Sequence, residues 1–410
     1  DPGRLERRPS TISPMRVLVL THNYPRFAGD PAGAFVARLA RATQLAGHET
    51  RVVTPAVPGT PERDVDGGVA VTRFRYAPRR LERLGYTGSL HRDALSKPLV
   101  ALALPGYLWS FRRAAQRAIR DFRPDVVHAH WWVPSGMVAA TLRTPFLVTS
   151  HGSDVRLLES APPARTLARR VLGRASVITT VSSFLERDLR RLLPSLETPV
   201  EVLPMPLDVA HFASGSTEAK ATPPRILYAG NLVASKGVDV LIEAVARLRE
   251  RGVECELRVL GEGAERGSLE ELARRRGIAG AVTFSPFVPQ SEMPAEYGRS
   301  TVTVLPTRGN AEGLGLTLVE ALLSGSAVVG TPAGGIPEVV VDGKTGLIAR
   351  DGDATDLAQK IGRLLSDSEL RERLVRCGAE RARERHAAIT AAARFISLYE
   401  QVRGGNRRAS

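Results

Sequence analysis

The 410 residues predict an α/β protein built from two doubly wound halves. Three observations carry that reading. Short apolar runs bounded by Gly, Pro and polar residues alternate with stretches of helical spacing, first over 15–203 and again over 225–385. A break rich in Pro, Ser, Thr and Gly at 204–224 separates the two series and reads as a linker. Hydrophobic residues make up 43% of the chain, enough for a sizeable core in each half.

Residues 1–14 are charged and carry Ser and Pro without an apolar h-region. They are expected to form a disordered lead-in before Met15, the natural start, and not a secretory signal. The run at 15–20 is a buried strand and 21–33 a loop rich in Asn, Pro and Gly. The helical spacing of 34–46 ends at Gly47, and 50–54 is the next strand, so the half opens as a parallel βαβ unit. A third strand follows at 69–74. Asp64-Val65-Asp66 has D-x-D spacing, but it precedes Gly67-Gly68 and is expected to be a polar turn, not a metal site.

The segment 75–122 interleaves Arg75, Arg79, Arg80, Arg83, Arg92, Lys97, Arg112, Arg113, Arg117 and Arg120 with Tyr76, Tyr86, Tyr107, Trp109 and Phe111. Two readings stand. It is a surface that meets acidic lipid headgroups or an anionic acceptor, or an amphipathic helix with a solvated basic face. Strands at 125–130, 145–150, 177–181 and 200–203 alternate with helices at 135–142, 163–173 and 182–193. Ser182-Ser183 is an N-cap signal, with Glu186 spaced for a capping box.

The second half repeats the plan. Strands are expected at 225–229, 256–260, 282–284, 302–305 and 327–330. Helices are expected at 238–251, 264–276, 291–298, 316–323, 354–365, 369–386 and 388–402. Glu312 and Glu320 stand eight apart, with Gly313-Leu314-Gly315 between them at the start of the 316–323 helix. The glycines permit close backbone approach and leave amides free for an anion such as a diphosphate. Two carboxylates would repel that anion, but suit the hydroxyls of a sugar and a ribose on either side of it. Ser324-Gly325 supplies a C-cap, and 334–338 reads as a turn with room for a ligand. Asp351-Gly352-Asp353 reads as a turn and N-cap, not a metal site.

Open α/β sheets bind ligands beyond the carboxyl ends of their strands. Four loops qualify: 21–33, which contains Gly29 and Gly33; 151–154; 230–237, which contains Lys236; and the stretch beginning at Asn310. The net charge of +14 favours an anionic partner, whether nucleotide sugar, nucleic acid or acidic membrane, and does not choose among them. Cys255 and Cys377 fit no metal or redox spacing. They are expected as buried thiols of a reducing compartment, hence a cytoplasmic protein. No apolar run approaches the roughly 18 residues of a membrane span.

Two linked patterns add a family. E-G-x-G-L-x-x-x-E-A-L-x-x-G from Glu312, then V-V-G-T-x-x-G-G-I-P-E-V-V-x-D-G-x-x-G from Val328, resemble the retaining nucleotide-sugar glycosyltransferases with the E-x7-E motif, glycosyltransferase family 4 or "glycosyl transferases group 1". The likeness is strongest over 225–350. It implies the GT-B architecture: two facing Rossmann-like domains, acceptor-side over 15–203 and donor-binding over 225–385, with 386–410 crossing back as a helix and tail.

The resemblance also implies roles. Glu312 bonds the sugar hydroxyls and Glu320 the ribose hydroxyls. The amides of Gly313, Leu314, Gly315 and Leu316 meet the phosphates and sugar. Lys236, in one loop with Gly230 and Asn231, holds the diphosphate. Asn231 stands where the family has Arg, which removes one charge from that clamp. His151 approaches the sugar near the reacting carbon without acting as a general base, Gly33 faces the donor phosphates or acceptor, and Val288 lies where the base is held. His151, Lys236 and Glu312 are thus the expected catalytic residues. No metal and no cofactor is implied beyond a nucleoside-diphosphate sugar as co-substrate. The acceptor is a carbohydrate, lipid-linked or small-molecule hydroxyl. Two alternatives share the fold: a nucleotide-sugar epimerase, and a non-catalytic nucleotide-sugar or anion binder motivated by Asn231. Nucleic-acid binding is set aside, because the basic residues are dispersed and no recognised module occurs.

Overall fold

Strand β1 (Arg16–Leu20) lies inside the first sheet because four of its five residues are apolar and all four are buried. A strand covered on both faces reads as a continuous apolar run, and β5 (Val126–His130), β6 (Phe146–Ser150) and β7 (Val177–Thr180) are buried throughout. The chain is described by a computed structural model over residues 13–79, 82 and 98–407. With β2 (Glu49–Pro55), β3 (Arg63–Asp66), β4 (Val69–Phe74) and β8 (Val200–Val202), the first sheet runs β3-β4-β2-β1-β5-β6-β7-β8. All neighbours are parallel except β3 and β4. The second sheet runs β11-β10-β9-β12-β13-β14, all parallel. Its strands are β9 (Arg225–Ala229), β10 (Glu256–Leu260), β11 (Val282–Ser285), β12 (Val302–Leu305), β13 (Ala327–Gly330) and β14 (Leu347–Ile348).

Strand order decides where a ligand can lie. In the first sheet the direction of winding reverses between β1 and β5, and in the second between β9 and β12. A crevice opens beyond the carboxyl ends at each such point. The loops there are 21–33, the Trp131 turn, 230–237 and 306–315. The last helix, Ala388–Arg407, leaves the second domain and packs on the Ala34–Leu45 helix and on β5. Its Tyr399 hydroxyl reaches His128 Nδ1 at 2.8 Å.

Several expectations are corrected. Asp64 and Asp66 belong to a strand, with the turn confined to Gly67 and Gly68, because β3 pairs antiparallel with β4. The expected 135–142 helix is a π-type turn over Trp132–Gly136 and one α turn over Met137–Ala139. A helix at Ser153–Ser160 follows directly after Gly152, where only a loop was expected. Cys255 is buried as expected, but Cys377 is exposed. Its helix, Ser368–His386, buries Leu370, Leu374, Gly378 and Ala382, and Cys377 lies off that stripe.

The 204–224 break is ordered. It carries a helix at Val209–Ala213, Ser324 Oγ donates to Phe212 O at 2.8 Å, and Lys220 Nζ donates to the carbonyls of Gly298, Ser300 and Gly325. In the basic segment, Arg80, Arg83, Tyr86, Arg92 and Lys97 lie outside the described residues, as do residues 1–12 of the lead-in. The helix Pro98–Phe122 is amphipathic. Tyr107 and Phe111 are core, with Phe111 stacked on Phe74 at 4.6 Å, while Arg112, Arg113, Arg117 and Arg120 are exposed. Among the described residues no helix is long and apolar enough to cross a membrane.

Candidate active site

The second-domain wall is built on the start of the Leu316–Leu323 helix. Gly315, at φ 87°, is its N-cap in the left-handed region that glycine adopts without strain. The amides of Gly313, Leu314, Gly315 and Leu316 donate no hydrogen bond among the described residues. They are therefore available to an anion, and the helix dipole adds to their pull. Beside them Lys236 Nζ bonds Glu312 Oε2 at 2.6 Å, each side chain being 18% exposed.

Lys236 is aimed by its turn. Gly237 (φ 67°) sits so tightly on Pro306 O that a Cβ would overlap it, and Arg308 N donates to Ser235 O. Gly334 and Gly335 seat the opposite side of the Glu312 loop. A Cβ on either would overlap the Glu312 or Gly313 carbonyl, and Gly335 N donates to Glu312 O at 3.1 Å. The space expected at 334–338 for a ligand is thus filled by the protein's own loop.

The first-domain wall is set by Asp154. Its buried carboxylate accepts the amides of His151 and Gly152 at 3.1 Å each and of Trp132 at 3.3 Å, which fixes the turn beyond β6. His151 Nε2 pairs with His130 Nδ1 at 3.0 Å. Burial, with the neighbouring His130 and His22, holds the His151 imidazole well below its ordinary pKa, so the ring is neutral at pH 7. Trp131 stands 4.4 Å and Phe35 4.8 Å from the His151 ring, between centroids, giving an apolar panel. Trp131 holds φ 66°, a strained conformation for a bulky residue, of the kind that collects at functional positions.

The two walls touch. Ser182 Oγ donates to Gly313 O at 2.7 Å. The amides of Ser183 and Phe184, at the start of the Ser183–Leu192 helix, donate to the Glu338 carboxylate at 3.0 and 2.8 Å. The expected capping box is therefore only half present. Ser182 Oγ does accept from Leu185 N, but Glu186 pairs with Arg190, and the carboxylate on the helix start comes from the other domain. Between the walls lies a cavity of about 1140 Å³.

Of the expected site residues, His151, Gly230, Asn231, Lys236, Glu312, Gly313, Leu314, Gly315 and Leu316 all line this cavity. Three do not. Gly33 is pressed on the Asn23 backbone, where a Cβ would overlap it, and serves as the N-cap of the helix that carries Phe35. Val288 packs half-buried against the core. Glu320 lies one turn beyond the cavity-lining Thr317, half-buried, and accepts from Tyr297 Oη at 3.0 Å. Burial raises its carboxyl above the usual range, with Arg38 of the first domain pulling the other way.

Asp66 is taken by the Tyr24 hydroxyl at 2.8 Å and Arg41 at 2.5 Å, and Asp353 caps the Ala354–Ser366 helix. No group of three or more His, Cys, Asp or Glu among the described residues is arranged to hold a metal ion. Ser153, from the expected 151–154 loop, lines the cavity too, as do three residues the sequence did not single out for a site: Phe35, Trp131 and Arg156. Trp131 was within reach, since it directly follows β5 and the carboxyl-end rule applies to it as to His151.

Comparison with known proteins shows the fold and the family. The family described as "Glycosyltransferase Family 4" matches residues 32–211, and "Glycosyl transferases group 1" matches 212–381. The chain is 30% identical to a D-inositol 3-phosphate glycosyltransferase of Acidothermus cellulolyticus over 79% of this chain and 78% of that one. It is 26% identical to a glycogen synthase of Mycobacterium tuberculosis over 96% of each. In fold it is similar to sucrose-phosphate synthase from Thermosynechococcus elongatus, with a TM-score of 0.78, 22% identity and coverage of 95% of this chain and 100% of that one. Two facing parallel-sheet domains, a crossing C-terminal helix and matches over both halves lead to one conclusion: the chain is a GT-B glycosyltransferase belonging to the glycosyl transferases group 1 and family 4.

Proposed function

We propose that the protein moves a hexose-type sugar from a nucleoside-diphosphate sugar to an acceptor hydroxyl, with retention at the anomeric carbon and without a metal. One observation carries this reading: four amides without an acceptor and Lys236 line the same cavity as the neutral His151 and its aromatic panel. The amides, Lys236 and the helix dipole stabilise the departing diphosphate. Glu312, Trp131 and Phe35 position the sugar. The neutral His151 adds no positive charge near the oxocarbenium-like carbon. The acceptor attacks on the face the diphosphate leaves. The sugar–phosphate C–O bond breaks, the new C–O bond forms, and the acceptor proton passes to a departing phosphate oxygen.

Glycogen synthase and inositol 3-phosphate glycosyltransferase, as names of relatives, support a sugar or polyol acceptor, in polysaccharide, glycolipid or other glycoconjugate synthesis. Neither the epimerase nor the binding-only alternative is favoured by them. A cytoplasmic site of action fits such donors. The exposed Trp109, with Arg113 over its ring at 5.2 Å, is the surface that would rest on an acidic membrane face. A thermal-shift screen against UDP-, GDP- and ADP-sugars tests the reading. One donor at 100 times its Kd should stabilise the fold by about 2.7 kcal/mol. Product NMR should then show the donor's anomeric configuration. No shift with any donor, or inverted product, overturns the reading.

A further inference from the structure

Two Lys or Arg side chains line the cavity, Lys236 and Arg156, and they differ in their partners. On the donor wall Lys236 is neutralised by Glu312, Glu262 is held by Arg266 at 2.9 Å, and Asn231 is neutral. On the facing wall Glu159 is held by Arg191 at 3.1 Å. Arg156 also lines the cavity, and its guanidinium has no ion pair or hydrogen bond among the described residues. It is half-buried, so water screens it only in part. A Cβ built on Gly152 would stand 3.4 Å from Arg156 Nη1 and 3.4 Å from Gly313 Cα. The guanidinium and the Gly313 backbone thus flank one point in the gap, next to the free amides.

We infer that Arg156 is a binding residue for the diphosphate of the donor, supplied across the domain gap by the first domain. A guanidinium can grip two phosphate oxygens at once, and it is weakly hydrated enough to do so in a half-closed cleft. The contact exists only while Glu338 and Ser182 hold the domains together, so diphosphate and closure favour each other. The inference rests on the donor-site reading above.

The test is calorimetric titration of wild type, Arg156→Gln and Arg156→Lys with UDP, GDP and ADP, and with the matching nucleoside. For the nucleotide that wild type binds, Arg156→Gln should raise Kd about tenfold. Arg156→Lys should retain part of the affinity, and the nucleoside Kd should stay within about twofold. Unliganded melting temperatures equal to wild type, or the partial rescue by Lys, separate lost binding from lost folding. If wild type binds a nucleoside diphosphate and Arg156→Gln binds it equally well, this inference alone falls. A weakened transfer rate with an unchanged nucleotide Kd moves Arg156 to a phosphate on the acceptor and likewise overturns it. If wild type binds none of the three nucleotides, the donor-site reading falls and takes the inference with it.

Discussion

Removing the Lys236 ammonium separates structure from function in one residue. In the unliganded protein it faces Glu312 at 2.6 Å, with both side chains 18% exposed. That lies between an exposed pair, worth at most about 1 kcal/mol, and a buried one, whose rupture costs about 3–5 kcal/mol. Lys236→Ala should therefore destabilise the apo protein by about 1–3 kcal/mol, because Glu312 is left without its partner. Glu312→Gln added to it removes that stranded charge and should restore most of the loss. Donor binding should not follow. A charge-assisted bond to phosphate is worth about 1.5–3 kcal/mol, so Lys236→Ala should weaken the donor roughly 10- to 150-fold, and the double variant should stay weak. Urea midpoints and donor titrations on the four proteins of the cycle give both quantities. If donor affinity returns in the double variant, Lys236 serves only to neutralise Glu312, and the diphosphate assignment is wrong.

Three further outcomes are expected. Glu338→Ala strips two amide bonds from the start of the Ser183–Leu192 helix and should shift the open–closed balance by about 1–3 kcal/mol. Small-angle scattering should then record a larger apo radius of gyration, and an unchanged radius would remove Glu338 from closure. Gly313→Ala sets a Cβ 2.8 Å from His151 O, so the walls cannot meet as they do here. Turnover should fall at least tenfold while the melting temperature holds, and wild-type turnover would mean this closed arrangement is not the active one. Finally, burial lowers His128 to about 3 and His386 to about 4, below the ordinary value near 6.5. Depressed folded-state values mean that stability is complete above about pH 6.5 and is lost as pH falls toward 4, because only the unfolded chain takes up protons there. At pH 5.5 each of the two should cost about 1.4 kcal/mol, and equal urea midpoints at pH 7.5 and 5.5 would refute their burial as neutral rings.

Apolar runs, glycine stops and caps made both sheets legible, since those signals are local. The Glu312–Leu316 stretch and Lys236 were legible for the same reason: free amides and a Gly-bounded lysine are properties of neighbouring residues. Contacts between domains were not. Nothing near Glu338 in the chain announces that it caps a helix 154 residues earlier, and Glu186 offered a convincing local substitute. Gly334 and Gly335 looked like room for a ligand because a sequence shows that a Cβ is missing, not what fills its place. Arg156 was hidden in a helix that the His151 turn had masked. Its weight as an unpaired cation emerges only once its neighbours are seen to be paired with others.

A crystal structure with the bound nucleoside diphosphate tests the central claim most directly. Its phosphate oxygens should lie within hydrogen-bond distance of the Gly313 to Leu316 amides and of Lys236 Nζ, with the Lys236–Glu312 contact loosened. Phosphates bound outside the gap between the two domains, with that contact intact and the four amides unengaged, would contradict it.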